Sequence, residues 1–134
     1  MRKQNRFLGI KGKVLLPTDG AKFEFHLPLI IFEENTVTVC FCPALNITGY
    51  GHSENEAMDN YRYVLTEYLD ITFKKKTLMT DLKRLGWQVG KSLSKKMSPP
   101  KIEDLLEKNI NFKRAVEKYD FKKISTNVQI PVYA

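Results

Sequence analysis

At 134 residues, 43% hydrophobic and 28% charged, the chain is sized for one globular domain with one core. Its basic N-terminus, MRKQNRFLGIKGKVLL, lacks the apolar stretch that secretion requires, and its longest apolar run, LPLIIF at 27–32, is too short to span a bilayer, so a cytoplasmic protein with no membrane partner is expected. The formal net charge of +7 is unevenly spread: seven Lys/Arg oppose nine Asp/Glu over 1–72, and fifteen oppose six over 73–134, a basic second half of the kind that meets nucleic acid or an acidic partner.

In chain order, LPTDG at 16–20 is turn chemistry separating KVLL from KFEFHLPLIIF, and it predicts a hairpin. Pro28 cannot donate to a ladder, which places a bulge or an edge there. A polar tip at Glu33, Glu34 and Asn35 leads into TVTVCFC, dense in β-branched and aromatic residues, for a second hairpin. Within it Cys40 and Cys42 lie two apart and point to one face, which suits small buried side chains in a reducing compartment and not a disulfide. Pro43 ends the strand; Gly49 and Gly51 carry a loop to Ser53, which forms a capping box with Glu56. Ala57, Tyr61, Val64, Leu65 and Tyr68 recur at helical spacing and give the helix an apolar stripe to lay on the sheet. The first half, 1–76, reads as β-β-β-α.

The run over residues 29–72, with its Pro43-Ala44-Leu45 segment, Gly51 and the helix start at 53–57, resembles the N-terminal domain of HicB-type antitoxins. The resemblance implies a partial ribonuclease-H-like fold used as a binding module. It also implies a non-enzymatic role in a toxin-antitoxin system, a HicA-like toxin as protein partner and, for many members, operator binding through a C-terminal helix-turn-helix or ribbon-helix-helix. On this reading partner contact falls to Leu45, Tyr50, Gly51, His52 and Ser53.

In the second half, 77–134, Thr77 opens a short helix TLMTDLKRL with Leu78, Leu82 and Leu85 on one face and Gly86 as its stop. Residues 91–96 and Ser98-Pro99-Pro100 read as a basic loop. IEDLLEKN and, capped by Asn111, FKRAVEKY read as two further short helices. ISTNVQIPV closes the chain: Ile124, Thr126, Val128, Ile130 and Val132 alternate with Ser125, Asn127, Gln129 and Pro131, an edge strand because Pro131 cannot donate. A terminal strand after three short helices departs from a helix-turn-helix. LKRLGWQV and VQIPV bear a faint likeness to the HicA toxin fold, without the histidine that its chemistry uses. The expected fold is α+β: a small antiparallel sheet with one long packed helix, then a basic extension of short helices and a final edge strand packed on the first part.

No constellation points to catalysis, a cofactor or a metal. Cys40, Cys42, His26 and His52 would supply four zinc ligands but lack the C-x-x-C spacing of a zinc knuckle. Glu24, Glu33, Glu34 and Asp59 read as solvated charges, not as the converging carboxylates of a ribonuclease-H-type metal site. Gly49-Tyr50-Gly51 lacks the rest of a phosphate-binding loop. For nucleic acid, Lys74, Lys75 and Lys76, together with Lys95 and Lys96, are the candidate contacts, while Trp87 is expected in the core. The exposed edges of a small sheet make a twofold homodimer the expected assembly.

Overall fold

A computed structural model describes residues 13–15, 21–89 and 97–132. The elements are β1 (Lys13–Leu15), β2 (Ala21–Glu34), β3 (Val37–Cys42), β4 (Ile47–Gly51), α1 (Glu54–Lys74), α2 (Leu78–Arg84), α3 (Ile102–Lys108), α4 (Ile110–Lys118) and β5 (Phe121–Val132). The fold is α+β: among the described residues five antiparallel strands form one sheet, with the long helix α1 packed on it. No helix among the described residues is long and apolar enough to cross a membrane.

The fourteen-residue β2 organises the sheet. One of its sides takes β1 at Lys22 to Glu24 and β3 from Ile30 onward; the other takes β5, from Ala21 opposite Val132 to Phe32 opposite Phe121. The β2–β3 turn is Asn35-Thr36, both at positive φ (52° and 68°), the combination a tight hairpin needs to match strand twist. Glu33 and Glu34, expected at the tip, lie in the strand. Across such a two-residue turn the flanking pair, Glu34 and Val37, exchanges both hydrogen bonds. Even-numbered residues of β2 therefore turn their backbone groups toward β3 and β1, and odd-numbered ones toward β5.

This parity explains both strand prolines. Pro28 is even, and among the described residues no strand pairs with it on that side: the β1 pairing covers Lys22 to Glu24 and the β3 pairing starts at Ile30. Its missing N–H breaks no ladder, and the β5 ladder passes it without a bulge, with Pro28 opposite Ser125. Pro131 pairs with Lys22, so its missing N–H points away from β2, to the outer edge.

Paired residues share a face of the sheet. Phe23, Phe25, Leu27, Leu29 and Ile31 of β2, Cys40 and Cys42 of β3, and Val128, Ile130 and Val132 of β5 are buried on one face, which α1 covers. The expected alternation in β5 is present, with Ser125, Asn127 and Gln129 exposed between them. On the opposite face α4 covers the end near the β2–β3 turn. There Phe112 lies 6.5 Å from Phe41, Tyr119 stacks on Phe32 at 4.8 Å, and the Tyr119 hydroxyl donates to Glu34 Oε2 at 2.7 Å.

Residues 47–51, expected as a loop, form strand β4, so the first half is β-β-β-β-α. Its glycines serve close approach and not a turn. A Cβ on Gly49 would sit 2.3 Å from the Tyr61 backbone nitrogen and 2.6 Å from the Ala57 carbonyl oxygen. Helix α1 can lie this low on the sheet only where no side chain stands under it.

The second half is built into the same core. Trp87, 3% exposed, meets Phe25 edge-on at 5.2 Å, and its indole N–H donates to the Ala44 carbonyl at 2.8 Å. Tyr68 of α1 donates its hydroxyl to Asp81 of α2, whose carboxylate also receives Arg84. Burial pushes the Asp81 carboxyl up, but these two donors outweigh it and hold the group below its ordinary value. Gly86, at φ 102°, is the stop after α2, while Thr77 makes no side-chain cap. The cap of α4 is Asn109 and not Asn111: its Oδ1 accepts from Phe112 N at 3.1 Å. Asn109 is the C-cap of α3 as well as the N-cap of α4, so the two helices join without the loop that would place a cap at Asn111.

The parity of β5 has a direct check. Ile130→Ala is expected to cost about 2–5 kcal/mol, whereas Gln129→Ala on the exposed side changes stability by less than about 0.5 kcal/mol. Urea denaturation of the two variants measures the difference.

Candidate functional site

The residues expected to meet a partner divide between scaffold and surface. Leu45, 2% exposed, is a core residue of the turn between β3 and β4. Gly51 lies against Glu56 and Ala57. Ser53 is the N-cap of α1, extended at φ −146° and ψ 167°, with its Oγ accepting from Glu56 N at 3.2 Å. The Glu56 carboxylate reaches back to the His52 N–H at 2.9 Å, one residue earlier than a capping box requires. Tyr50, 57% exposed, and His52 reach solvent.

The outer edges formed by β4 and β5 are treated differently. In β4 the pairing of Thr38 with Gly51 and of Cys40 with Gly49 turns odd-numbered backbone groups inward, leaving those of Thr48 and Tyr50 outward. Helix α1 covers that edge: Tyr50 N–H donates to Asn60 Oδ1 at 2.9 Å, and the next outward amide, His52, is the one held by Glu56. In β5 the outward groups belong to Lys123, Ser125, Asn127, Gln129 and the carbonyl of Pro131. Among the described residues no strand pairs with them.

Beside this open edge runs a groove of about 430 Å³. Leu65, Leu69 and Phe73 of α1 give it an apolar wall, Val128 and Pro131 of β5 the opposite one, and Lys22 and Asp70 are its charged residues. The Lys122 ammonium meets Glu54 at 2.7 Å near the other end of α1, so helix and strand run in the same direction. Sequence reasoning named the edge but not the groove. The signal was the continuation of the helical stripe past Tyr68, through Leu69 to Phe73.

Of the candidate nucleic-acid contacts, Lys74, Lys75 and Lys76 are exposed at the end of α1. Lys74 meets Asp70 at 3.1 Å, and Lys75 is the C-cap, its N–H donating to the Ile71 carbonyl. Lys95 and Lys96 lie outside the described residues. A second basic group, not foreseen, lies on α4, where Lys113, Arg114, Lys118, Glu117 and the exposed Ile110 line a depression of about 370 Å³.

The buried thiols form a separate cluster. Cys40 Sγ donates to Met58 Sδ at 3.4 Å, and the Tyr61 hydroxyl, fully buried, lies beside Cys42 with no hydrogen-bond partner of ordinary geometry. Burial pushes the Cys40 thiol up to about 12 and the Cys42 thiol up to about 11. Such thiols stay protonated at neutral pH and are poor nucleophiles. Among the described residues no three His, Cys, Asp or Glu side chains gather as metal ligands; Asp59 pairs with Arg62 at 3.2 Å, and Glu33 and Glu34 are exposed.

Both thiols are expected to resist a disulfide reagent in the folded protein at about pH 8 and to react once it is unfolded. Because their folded-state values lie above the ordinary value of 9.0, the stability they contribute is full below about pH 9 and is lost as pH rises through 11 to 12. Thiol counting and denaturation across that range check both statements. The chain matches no protein-family model, no curated protein and no solved structure.

Proposed function

We propose that the chain is a non-enzymatic binding protein of the cytoplasm that captures a partner protein by strand addition at β5, in the role of an antitoxin whose partner is a HicA-like toxin. The observation that carries this reading is the asymmetry between the β4 and β5 edges. An unpaired edge is an aggregation liability that proteins ordinarily cover, and β4 is covered by Asn60 and Glu56. Among the described residues no strand pairs with the outward row of the twelve-residue β5, and an added strand gains ladder hydrogen bonds at Lys123, Ser125, Asn127 and Gln129.

The basic second half supports nucleic-acid binding as a second reading, through Lys74, Lys75 and Lys76 and the α4 group. Against it stands Trp87, whose burial removes the aromatic platform that a single strand would stack on. Lysines on a solvated face also have an ordinary role in solubility.

Mixed with a HicA-type ribonuclease, the protein is expected to co-elute with it on size exclusion and to suppress its RNA cleavage. Sub-micromolar, steeply salt-dependent binding to random duplex or single-stranded oligonucleotides, without toxin capture, would overturn the reading in favour of nucleic acid.

A further inference from the structure

We infer that the groove beside β5 takes an extended segment of a partner protein with apolar side chains at alternate positions, preceded by acidic residues. Resting on the protein-binding reading, this inference names the chemistry of the bound strand. The outward amides and carbonyls of Lys123, Ser125, Asn127 and Gln129 specify an extended backbone, because only that geometry matches a ladder at every second residue. The groove wall of Leu65, Leu69, Phe73 and Val128 specifies apolar side chains on the face turned to α1.

Polarity follows from the sheet. Every ladder among the described residues is antiparallel, and an added antiparallel strand begins where β5 ends, at Pro131 and Val132. That end is strongly basic. Lys22 lines the groove there, and Lys74, Lys75 and Lys76 follow directly on Phe73, all three exposed. Asp70 offsets one of them through its pair with Lys74, and the helix C-terminus contributes about half a negative charge, so positive charge remains. Carboxylates preceding the partner's apolar residues fall on it.

The same charges disfavour a second copy of this chain as occupant. Antiparallel pairing of β5 with itself would bring Lys123 of the copy against the Lys22, Lys75 and Lys76 end, where like charges repel, whereas Lys122, held by Glu54, adds little to that repulsion.

The test uses the full-length protein and a fluorescent nonapeptide, Glu-Glu-Glu-Thr-Val-Thr-Val-Thr-Val, read by anisotropy. The probe is expected to bind and to slow hydrogen exchange at the outward amides of 123–129. A peptide with Lys in place of Glu, or with the Glu residues moved to the other end, binds about tenfold more weakly. Replacing Lys74, Lys75 and Lys76 together by Gln removes that preference. Asn127→Pro deletes one outward donor as Pro131 already does, so it abolishes binding while the melting temperature holds; if that variant does not fold, the charge preference and the lysine variant decide. Equal binding of the acidic and basic peptides, binding by a folded Asn127→Pro protein, or a free protein that light scattering shows to be a dimer with these amides already protected would each overturn the inference. Toxin capture without peptide binding overturns this inference alone; peptide binding without toxin capture overturns the toxin and leaves the groove.

Discussion

The turn at 43–46 is the constraint on which the two halves of the chain depend. Pro43, Ala44 and Leu45 are buried, so their carbonyls have lost water and need donors from within the protein. The donors come from far along the chain: the Trp87 indole reaches Ala44 across a separation of 43 residues, and Asn109 reaches Pro43 at 3.3 Å across 66. Removing either would leave a buried acceptor unpaired, at about 1–3 kcal/mol. The residues after 76 are thus part of the frame on which β3 and β4 are hung, and β5, paired along β2 from end to end, completes the same core.

From the short β2–β3 turn the rest of the sheet follows by counting. A two-residue turn sets which residues of β2 face β3; that fixes which face β5, and hence which groups of β5 look outward. Two prolines in different strands satisfy the one parity, and so do the two side chains of α1 that cap β4. Helix α1 acts on both edges. Its first two turns, through Glu56 and Asn60, close β4, and its later turns, through Leu65, Leu69 and Phe73, flank β5 without pairing with it.

What the sequence made legible was pattern carried by single elements. The alternation over 124–132 declared β5 and its buried side, the Ser53 cap declared the start of α1, and the spacing of Cys40 and Cys42 declared two thiols on one face. The errors lie where a residue's role is set by something distant in sequence. Gly49 looks like a loop glycine until α1 is laid against it, and Asn109 and Asn111 are equally good caps until the junction of α3 and α4 decides between them. Leu45 looks like an accessible loop residue until Trp87 and Asn109 bury its turn. The groove belongs to this class as well, since its walls are 54 or more residues apart along the chain and neither wall alone differs from an ordinary amphipathic element.

The strand that would receive a partner is also the strand that closes the core, and parity keeps the two roles apart. Even-numbered residues of β5 turn their backbone groups to β2 and put Val128, Ile130 and Val132 into the core; odd-numbered ones turn theirs outward, and Lys123, Ser125, Asn127 and Gln129 among them carry exposed polar side chains. On the proposed reading, sequence change at the odd positions would alter recognition while the ladder to β2 stands. On that reading such a surface could follow a changing partner without placing the fold at risk, whereas within residues 45–53, where partner contact was first expected, Leu45, Gly49, Gly51 and Ser53 are held by the fold and Asn46, Tyr50 and His52 are exposed.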